Sequence, residues 1–343
     1  MLKKALVVMA QIVFLLSLVL FCVDGKINFA NTFENERRAH DIARRVNEME
    51  GASWTAAVYA EAASLSQDEK RKFFLGVLDG EASDEKAGEP LKKKIPSLGV
   101  PSDWDWRTGN KSLSTCVGSI QNQLKCGSCW AVSAVEVLAD RRCIAMRQAQ
   151  PGAARIQMSA LDLVACDKMC KFITRCCRGC AGGYPSLAWK FIQEKGVVSS
   201  ECMPYNLTKS LLCPVPKCFG TREQQKAYKV KKYAKIYGGA PSIRREIFQS
   251  GPVQATFSVY EDFMNYHSGI YKHVTGKLLG LHAVKVVGFG YDRNSSTAYW
   301  SVANSWGETW GNQGFFKIAV GQCEFELNMY TATPCTSNST YFC

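Results

Sequence analysis

Histidine is scarce in this chain, with four residues among 343. One of them, His40, lies in an N-terminal stretch that also lacks cysteine, so the rest of the chain contains only His267, His273 and His282. Histidine is the side chain used most often as a general base near neutral pH. Any reaction in the body of the protein that depends on an imidazole therefore has three candidates.

Long apolar runs are also scarce, because the chain has only one. A single one, residues 5–23, follows a pair of lysines and ends beside the small residues Val23 and Gly25. This pattern is typical of a cleaved secretory signal over residues 1–25. The alternative is a membrane anchor, because the run is only slightly shorter than a bilayer span. No second apolar span follows, which favours the signal, and we expect no stable membrane insertion after its removal.

Acidic residues are outnumbered, since 42 Lys and Arg face 30 Asp and Glu and leave a net charge of +12. Residues 1–94 contain 14 of each sign, so the whole excess lies in residues 95–343. A basic surface can attract nucleic acids or anionic membranes. The basic residues are scattered, however, and form no stripe interleaved with aromatic residues. We therefore expect no nucleic-acid partner.

Cysteine is absent from residues 26–94 but frequent afterwards. The chain has 16 cysteines, of which Cys22 leaves with the signal, and an odd number remains. Many cysteines indicate an oxidising compartment, here the secretory pathway, and four Asn-x-Ser/Thr glycosylation motifs agree. The odd number predicts one unpaired thiol.

The chain divides into a signal (1–25), a charged leader (26–94) and a disulfide-bonded body (95–343). The leader ends in a polar, exposed linker with three lysines at 92–94. Apolar spacing predicts helices at 35–50, 66–78, 130–142, 159–165 and 184–195, and strands at 253–260, 283–291, 298–302 and 315–320. Helices followed by strands predict an α+β body with two lobes, about 110–250 and 251–335.

One cysteine stands where chemistry is favoured. The segment Q-L-K-C-G-S-C-W, residues 123–130, leads into a predicted helix, and a thiol at a helix N-terminus is stabilised as thiolate. Gly127 would give a tight entry and Ser128 a capping hydroxyl. The alternative is that Cys126 and Cys129 form a structural, redox or metal-binding C-x-x-C pair.

A thiolate needs a base, and His282 begins an apolar strand that can hold an imidazole at a fixed angle. A single histidine on such a strand is ordinarily a core residue. Downstream, however, Asn304 can accept the imidazole N–H, and Trp306 can shield that bond from water. Gln123 can donate its side-chain N–H to a developing oxyanion.

Together these motifs resemble the papain superfamily of cysteine peptidases. The order Q-x-x-C-G-S-C-W, H-A-V and A-N-S-W-G-x-x-W-G is specific to it. Within the superfamily, C-A-G-G-Y-P (180–185), V-Y-E-D-F (259–263) and Y-K-H-V-T-G (271–276) resemble cathepsin B, as does the short leader. The resemblance covers about Val100 to Glu326.

The resemblance implies a papain-like fold, in which a helical left lobe and a barrel-like right lobe enclose a cleft, and an N-terminal propeptide that inhibits the enzyme. It implies Cys129 as nucleophile, His282 as base, Asn304 as orienting residue and Gln123 as oxyanion donor. Gly182, Gly183 and Trp306 would contribute to substrate binding, with Asn328 in the specificity pocket.

The family further implies disulfides Cys126–Cys180 and Cys116–Cys143. Five closely spaced cysteines at 166–180 could be read as a zinc site, but the resemblance favours disulfides there and no cofactor or metal. The implied activity is that of a cysteine endopeptidase acting on peptides and proteins in a lysosome, a vacuole or the extracellular space. Cystatin-type inhibitors are expected partners.

Three departures from cathepsin B affect specificity. The span Cys202–Cys218 is shorter than the usual occluding loop and has no histidine pair. Leu281 replaces a glycine before the base, and Asn328 replaces an acidic pocket residue. The alternative function is a catalytically silent homologue that acts as a secreted binding protein. Such relatives usually lack the nucleophile or the base, whereas this chain retains both.

Overall fold

The computed structural model describes residues 31–80, 99–170, 176–208, 212–213 and 227–336. The signal and the lysine-rich end of the leader lie outside these ranges. Within them, no helix is both long and apolar enough to cross a bilayer.

The described helices begin in the leader and continue through the first half of the body. Residues 31–47 are helical (α1). The other α-helices are α2 (Ala60–Ala63), α3 (Gln67–Phe74), α4 (Cys129–Ala149), α5 (Ala160–Cys166), α6 (Pro185–Glu194) and α7 (Gly239–Ser250). Local chemistry sets several starts. Ser66 and Glu69 form a reciprocal capping box before α3, and Pro185 occupies the first turn of α6, where its missing N–H is not needed.

Nine strands within the described ranges form one sheet. They are β1 (Trp54–Ala56), β2 (Trp104–Asp105), β3 (Val230–Lys235), β4 (Val253–Tyr260), β5 (Tyr266–Tyr271), β6 (Leu278–Asp292), β7 (Thr297–Ala303), β8 (Phe315–Ala319) and β9 (Asn328–Pro334). Their order is β1-β5-β8-β7-β6-β4-β9-β3, with β2 beside β6. All pairs are antiparallel except β5 with β8. The leader thus contributes the edge strand β1.

Helix α4 is buried against this sheet and is held there by a charge cluster. Lys285 of β6 donates to Asp140 at 2.7 Å and Glu136 at 3.2 Å, both on α4, and Arg155 contacts the same two carboxylates. Buried charges are tolerated only when they are paired in this way. The cluster fixes α4, which begins at Cys129, against the strand that contains His282.

The α+β fold with helices first and strands later is confirmed. The leader helix predicted at 66–78 is wrong at its end, because α3 stops at Phe74 and residues 75–78 carry no helical turn. Strand β3 pairs with β9, and α7 packs its buried Ile243 and Ile247 among core residues of the other strands.

Candidate active site

Cys129 is the first residue of α4, and its side chain is fully buried. The backbone N–H of Ala283, the residue after His282, donates to its sulfur at 3.4 Å. Strand β6 and the start of α4 therefore meet at the thiol. A helix N-terminus and a donated N–H both favour negative charge on sulfur.

Ser128 does not cap α4 as the sequence analysis expected. It occupies the N-cap position, but its hydroxyl makes no capping bond and instead lies 2.7 Å from the Tyr205 hydroxyl. That phenol donates to the backbone carbonyl of Gln123 at 3.0 Å. Tyr205 thus ties the residue before the nucleophile to the residue expected to stabilise the oxyanion. Nothing in the sequence near Tyr205 indicates this contact.

His282 lies on β6, fully buried, with its Nε2 2.8 Å from Asn304 Oδ1. Asn304 Oδ1 also accepts the backbone N–H of Ser305 at 2.8 Å, so its oxygen faces the imidazole. The proton therefore resides on Nε2, and Nδ1 remains as the acceptor. No described group bonds to Nδ1. The ring of Trp306 covers the imidazole, with centroids 4.8 Å apart.

The Gln123 side chain is oriented by Ser305. Its Oε1 accepts the Ser305 hydroxyl at 2.6 Å, which turns the Nε2 donor toward the cleft. That donor contacts the Cys126 carbonyl at 2.9 Å and, in the leader, the carbonyls of Phe73 at 3.1 Å and Phe74 at 3.2 Å. Ser305 belongs to the A-N-S-W motif. Its position directly after Asn304 is the sequence signal that could have identified its role in orienting Gln123.

The leader passes through the cleft. Gly183 donates its N–H to the Gly76 carbonyl at 2.9 Å and accepts from Leu78 at 3.1 Å, so that Val77 pairs with Gly183 in the parallel sense. Trp306 Nε1 donates to Phe74 at 3.1 Å. In this structure Gly183 and Trp306, two of the residues that the sequence analysis assigned to substrate binding, contact leader backbone. Gly182 lies beside them, where an added Cβ would meet Leu78.

Covering the cleft changes the ionisation of its two reactive groups. Burial raises the pKa of the Cys129 thiol to about 12, although backbone N–H groups, including that of Gly76, oppose the rise. Burial lowers the pKa of His282 to about 4, against the hydrogen bond with Asn304. Desolvation disfavours the charged form of each group. With the leader in place, thiol and imidazole are therefore both neutral at pH 7.

Two of the specificity residues lie on β9 and β6, the strands on either side of β4. Asn328 begins β9 and accepts a hydrogen bond from the Lys235 ammonium at 2.8 Å. Leu281, before the base, accepts the Val77 N–H at 3.3 Å through its carbonyl. Residues 209–211 and 214–218 of the Cys202–Cys218 span lie outside the described residues.

Disulfides occupy most of the described cysteines. The pairs between described residues are Cys116–Cys143, Cys126–Cys180, Cys166–Cys213 and Cys170–Cys176, and Cys202 and Cys335 are disulfide-bonded as well. Three described cysteines, Cys129, Cys177 and Cys323, lie outside any disulfide, so the prediction of one such thiol was wrong. An odd number of cysteines shows only that an odd number of thiols lies outside disulfides. The count alone therefore does not identify Cys129 as the reactive thiol. Across the described ranges, no cluster of three or more His, Cys, Asp or Glu could hold a metal ion.

Comparison with known proteins agrees with this geometry. Residues 100–334 match the papain family cysteine protease model. A cathepsin B-like cysteine proteinase of Schistosoma japonicum is 32% identical over 346 residues, covering 92% of this chain and 95% of the relative. A gut-specific cysteine proteinase of Caenorhabditis elegans is 39% identical over 284 residues, covering 76% of this chain and 81% of the relative.

Solved structures agree as well. A procathepsin B from Trypanosoma congolense superposes with a TM-score of 0.71 at 29% identity, covering 86% of this chain and 98% of that one. The chain belongs to the papain family of cysteine proteases. Within that family its relatives and its leader-bound cleft make it a cathepsin B-like cysteine peptidase in its proform.

Two glycines allow the leader to lie against the thiol. A Cβ added to Gly76 would lie 2.2 Å from the Gly127 carbonyl oxygen, and one added to Gly127 would lie 2.6 Å from the Leu75 oxygen. We expect Gly76→Ala to push the leader out of the cleft. The precursor should then hydrolyse a peptide substrate at pH 7 at least about tenfold faster than the unaltered precursor, since overpacking of this kind costs about 1–3 kcal/mol.

Gly99→Ala is the matched control, because nothing lies within 4 Å of its added Cβ. Both variants should keep the circular dichroism spectrum of the precursor. A Gly76→Ala precursor as inactive as the control would contradict the close backbone contact described here.

Proposed function

We propose that this chain is the precursor of a cysteine endopeptidase of the secretory pathway, delivered to a lysosome or vacuole or released. Cathepsin B-like proteases are typically secreted or lysosomal. The observation that carries the activity is the hydrogen bond between His282 Nε2 and Asn304 Oδ1 at 2.8 Å, in a strand whose next backbone N–H reaches the Cys129 sulfur. This arrangement supports a reactive enzyme over a silent binding protein.

The reaction begins when the leader leaves and water returns to the cleft. Loss of desolvation lets a proton pass from Cys129 to His282 Nδ1, and such ion pairs hold thiol pKa values at about 3–4. The thiolate then attacks the scissile carbonyl carbon. The oxygen takes the negative charge and accepts hydrogen bonds from Gln123 Nε2 and the Cys129 backbone N–H.

His282 next gives its proton to the leaving amine nitrogen, the C–N bond breaks, and an acyl thioester remains on Cys129. A water molecule then loses a proton to His282 and attacks the thioester. The carbon–sulfur bond breaks, the acid product leaves and the thiolate–imidazolium pair is restored. Asn304 holds the ring so that one nitrogen faces sulfur throughout.

We expect Cys129→Ala, after removal of the leader, to lose about four orders of magnitude or more in kcat and all labelling by a thiol-directed epoxide. Asn304→Ala should lose about 10- to 100-fold in kcat, because it frees the imidazole without removing a reacting group. Asn294→Ala, an exposed residue of the β6–β7 turn, is the matched control. Substantial turnover by Cys129→Ala would remove this residue from the mechanism, and epoxide labelling without turnover in the unaltered protein would favour the binding-protein function.

The leader, proposed here as the enzyme's own inhibitor, is clamped to the body at Glu261. This carboxylate, 6% exposed, accepts two hydrogen bonds from Arg38, each 2.6 Å, and one from Gln67 at 2.8 Å. The Lys277 backbone N–H donates to it at 2.8 Å from the body. Lys70 of the leader also lies close enough to Glu261 for the negative charge of this carboxylate to favour the protonated ammonium. A bidentate Arg–carboxylate pair is among the strongest contacts that a protein makes.

Acidification weakens this clamp. Burial alone would raise the pKa of Glu261, but the hydrogen bonds from Arg38 and Lys277 outweigh burial and hold the pKa below its ordinary value of 4.5. A carboxyl whose pKa falls on binding stabilises the complex above its unbound pKa and loses that contribution as the pH falls through the bound value. The contribution of Glu261 to leader binding is therefore present at pH 7 and is lost only as the pH falls below the ordinary pKa of 4.5.

We expect Glu261→Gln to weaken inhibition by the isolated leader peptide by about 30-fold at pH 7, since breaking one partner of a buried pair costs about 2 kcal/mol. The precursor should also become active at a higher pH, and leader affinity should vary less between pH 7 and 4. Arg38→Gln should weaken inhibition by the leader to a similar extent, and the double variant should weaken it little further.

Arg37→Gln is the matched control for the clamp. Its guanidinium contacts the exposed Glu34 of the same helix, and exposed pairs contribute little. If the pH dependence of activation were the same for Glu261→Gln and Arg37→Gln, the acid-sensitive contact would have to lie elsewhere.

We further propose endopeptidase action without stepwise removal of C-terminal dipeptides. Such removal needs a fixed cation for the terminal carboxylate, and the sequence has no histidine between Trp130 and Tyr266. Lys209 could contribute only a flexible ammonium. Peptides that differ only in a free or amidated C-terminus should be cleaved within about threefold of one another. A strong preference for the free acid, with dipeptides released in sequence, would contradict this proposal.

A further inference from the structure

The Tyr205 hydroxyl contacts both sides of the expected oxyanion site. It donates to the Gln123 backbone carbonyl at 3.0 Å and lies 2.7 Å from the hydroxyl of Ser128, the residue directly before Cys129. A carbonyl oxygen can only accept, so the single phenol proton goes to Gln123 and the Ser128 hydroxyl donates to the phenol oxygen. All of these residues belong to the body, so the hydrogen bonds do not depend on the leader.

The Gln123 carbonyl belongs to a strained peptide unit. The next residue, Leu124, has a φ of 56°, in the left-handed region that a residue with a Cβ adopts only at a cost. Its side chain is 49% exposed, so packing does little to hold this conformation. Side chains instead hold both polar groups of the unit, the carbonyl by Tyr205 and the Leu124 N–H by Asn122 Oδ1 at 2.8 Å. Such strain persists only where the surrounding structure maintains it.

The phenol reaches this peptide unit from an anchored segment. Tyr205 follows the disulfide-bonded Cys202 and Met203, whose carbonyl accepts the Ser159 hydroxyl at 2.6 Å. The backbone N–H groups of Cys202 and Met203 both donate to the Ser199 carbonyl at 3.1 Å. Burial raises the pKa of the Tyr205 phenol to about 12, so it remains a donor at neutral and acidic pH. A donor on an anchored segment fixes the position of its acceptor, as a preorganised site requires.

We propose that Tyr205 is a positioning residue for catalysis, which holds the strained peptide unit after Gln123 and thereby keeps the oxyanion donor of that residue in place. The proposal rests on the proposed peptidase function and extends it to a residue outside the reacting groups. Without the phenol hydroxyl, the peptide unit before Leu124 can relax and displace Gln123. The Ser128 hydroxyl also loses the shorter of its two hydrogen bonds, directly before the Cys129 N–H that acts as the second oxyanion donor.

The test compares two reactions of Cys129 in the leader-free enzyme. Hydrolysis of a fluorogenic peptide develops an oxyanion, whereas alkylation by iodoacetamide forms a carbon–sulfur bond, releases iodide and develops none. Removal of a whole oxyanion donor lowers kcat by about 10²–10³. Tyr205→Phe retains both donors but holds them loosely, so we expect kcat and kcat/KM to fall equally, by about tenfold. The rate of alkylation should stay within about twofold of that of the unaltered enzyme, because the thiolate–imidazolium pair is intact.

A second variant tests the route of the effect. Glycine adopts a positive φ without the cost that leucine has, so Leu124→Gly removes the strain that Tyr205 is proposed to hold. Combined with Tyr205→Phe, it should recover at least about threefold of the lost kcat. Tyr266→Phe is the matched control, because its hydroxyl also makes two hydrogen bonds, to the Gly269 carbonyl at 2.7 Å and from the Lys317 N–H at 3.2 Å. Both tyrosine variants should lose similar thermal stability, but the control should keep its kcat.

Three results would overturn the inference alone. One is a kcat for Tyr205→Phe equal to that of the Tyr266→Phe control. Another is an equal fall in hydrolysis and alkylation, which would indicate a disturbed thiolate and not a displaced oxyanion donor. The third is no recovery of kcat on adding Leu124→Gly. An unaltered leader-free enzyme that iodoacetamide alkylates at Cys129 but that cleaves no peptide would overturn the proposed function and this inference with it.

Discussion

Lys285 places its ammonium between the carboxylates of Glu136 and Asp140, and Arg155 approaches the same carboxylates from the other side. Neither helix α4 nor strand β6 could bury these charges alone, because each would leave ions without partners. The two elements must therefore pack in one register. Cys129 lies seven residues before Glu136, and His282 lies three before Lys285, so this register also sets the distance between nucleophile and base.

Much of the site could be read from the sequence because its signals are local. A cysteine at a helix start, a histidine on an apolar strand and an asparagine before Ser-Trp each show their role in neighbouring residues. The long helix α4 and strands β4, β6, β7 and β8 follow strong apolar periodicity. Strand β3 escaped notice because only Val230 and Ala234 among its six residues are buried, which leaves little alternation to read.

Other features depend on contacts between distant residues, which no single-sequence pattern records. Tyr205 contacts Ser128 across 77 positions, and Glu261 meets Arg38 across 223. The helix α3 was predicted four residues too long because Leu75 to Leu78 keep apolar spacing. Those residues form cleft contacts instead, and tertiary hydrogen bonds to Gly183 and Leu281 override local helix propensity.

Strand β1 has a further consequence for the enzyme after its leader is gone. The leader pairs Trp54 with Gly269 and Thr55 with Ser268, and so covers the outer side of β5. In the proposed leader-free enzyme this partner is gone, and the main-chain donors and acceptors on that side of β5 would face solvent. An unprotected sheet edge is a template for pairing with another extended chain. Release of the leader would thus open the cleft and, at the same time, expose a short sheet edge at β5, where a second extended polypeptide could add as a strand.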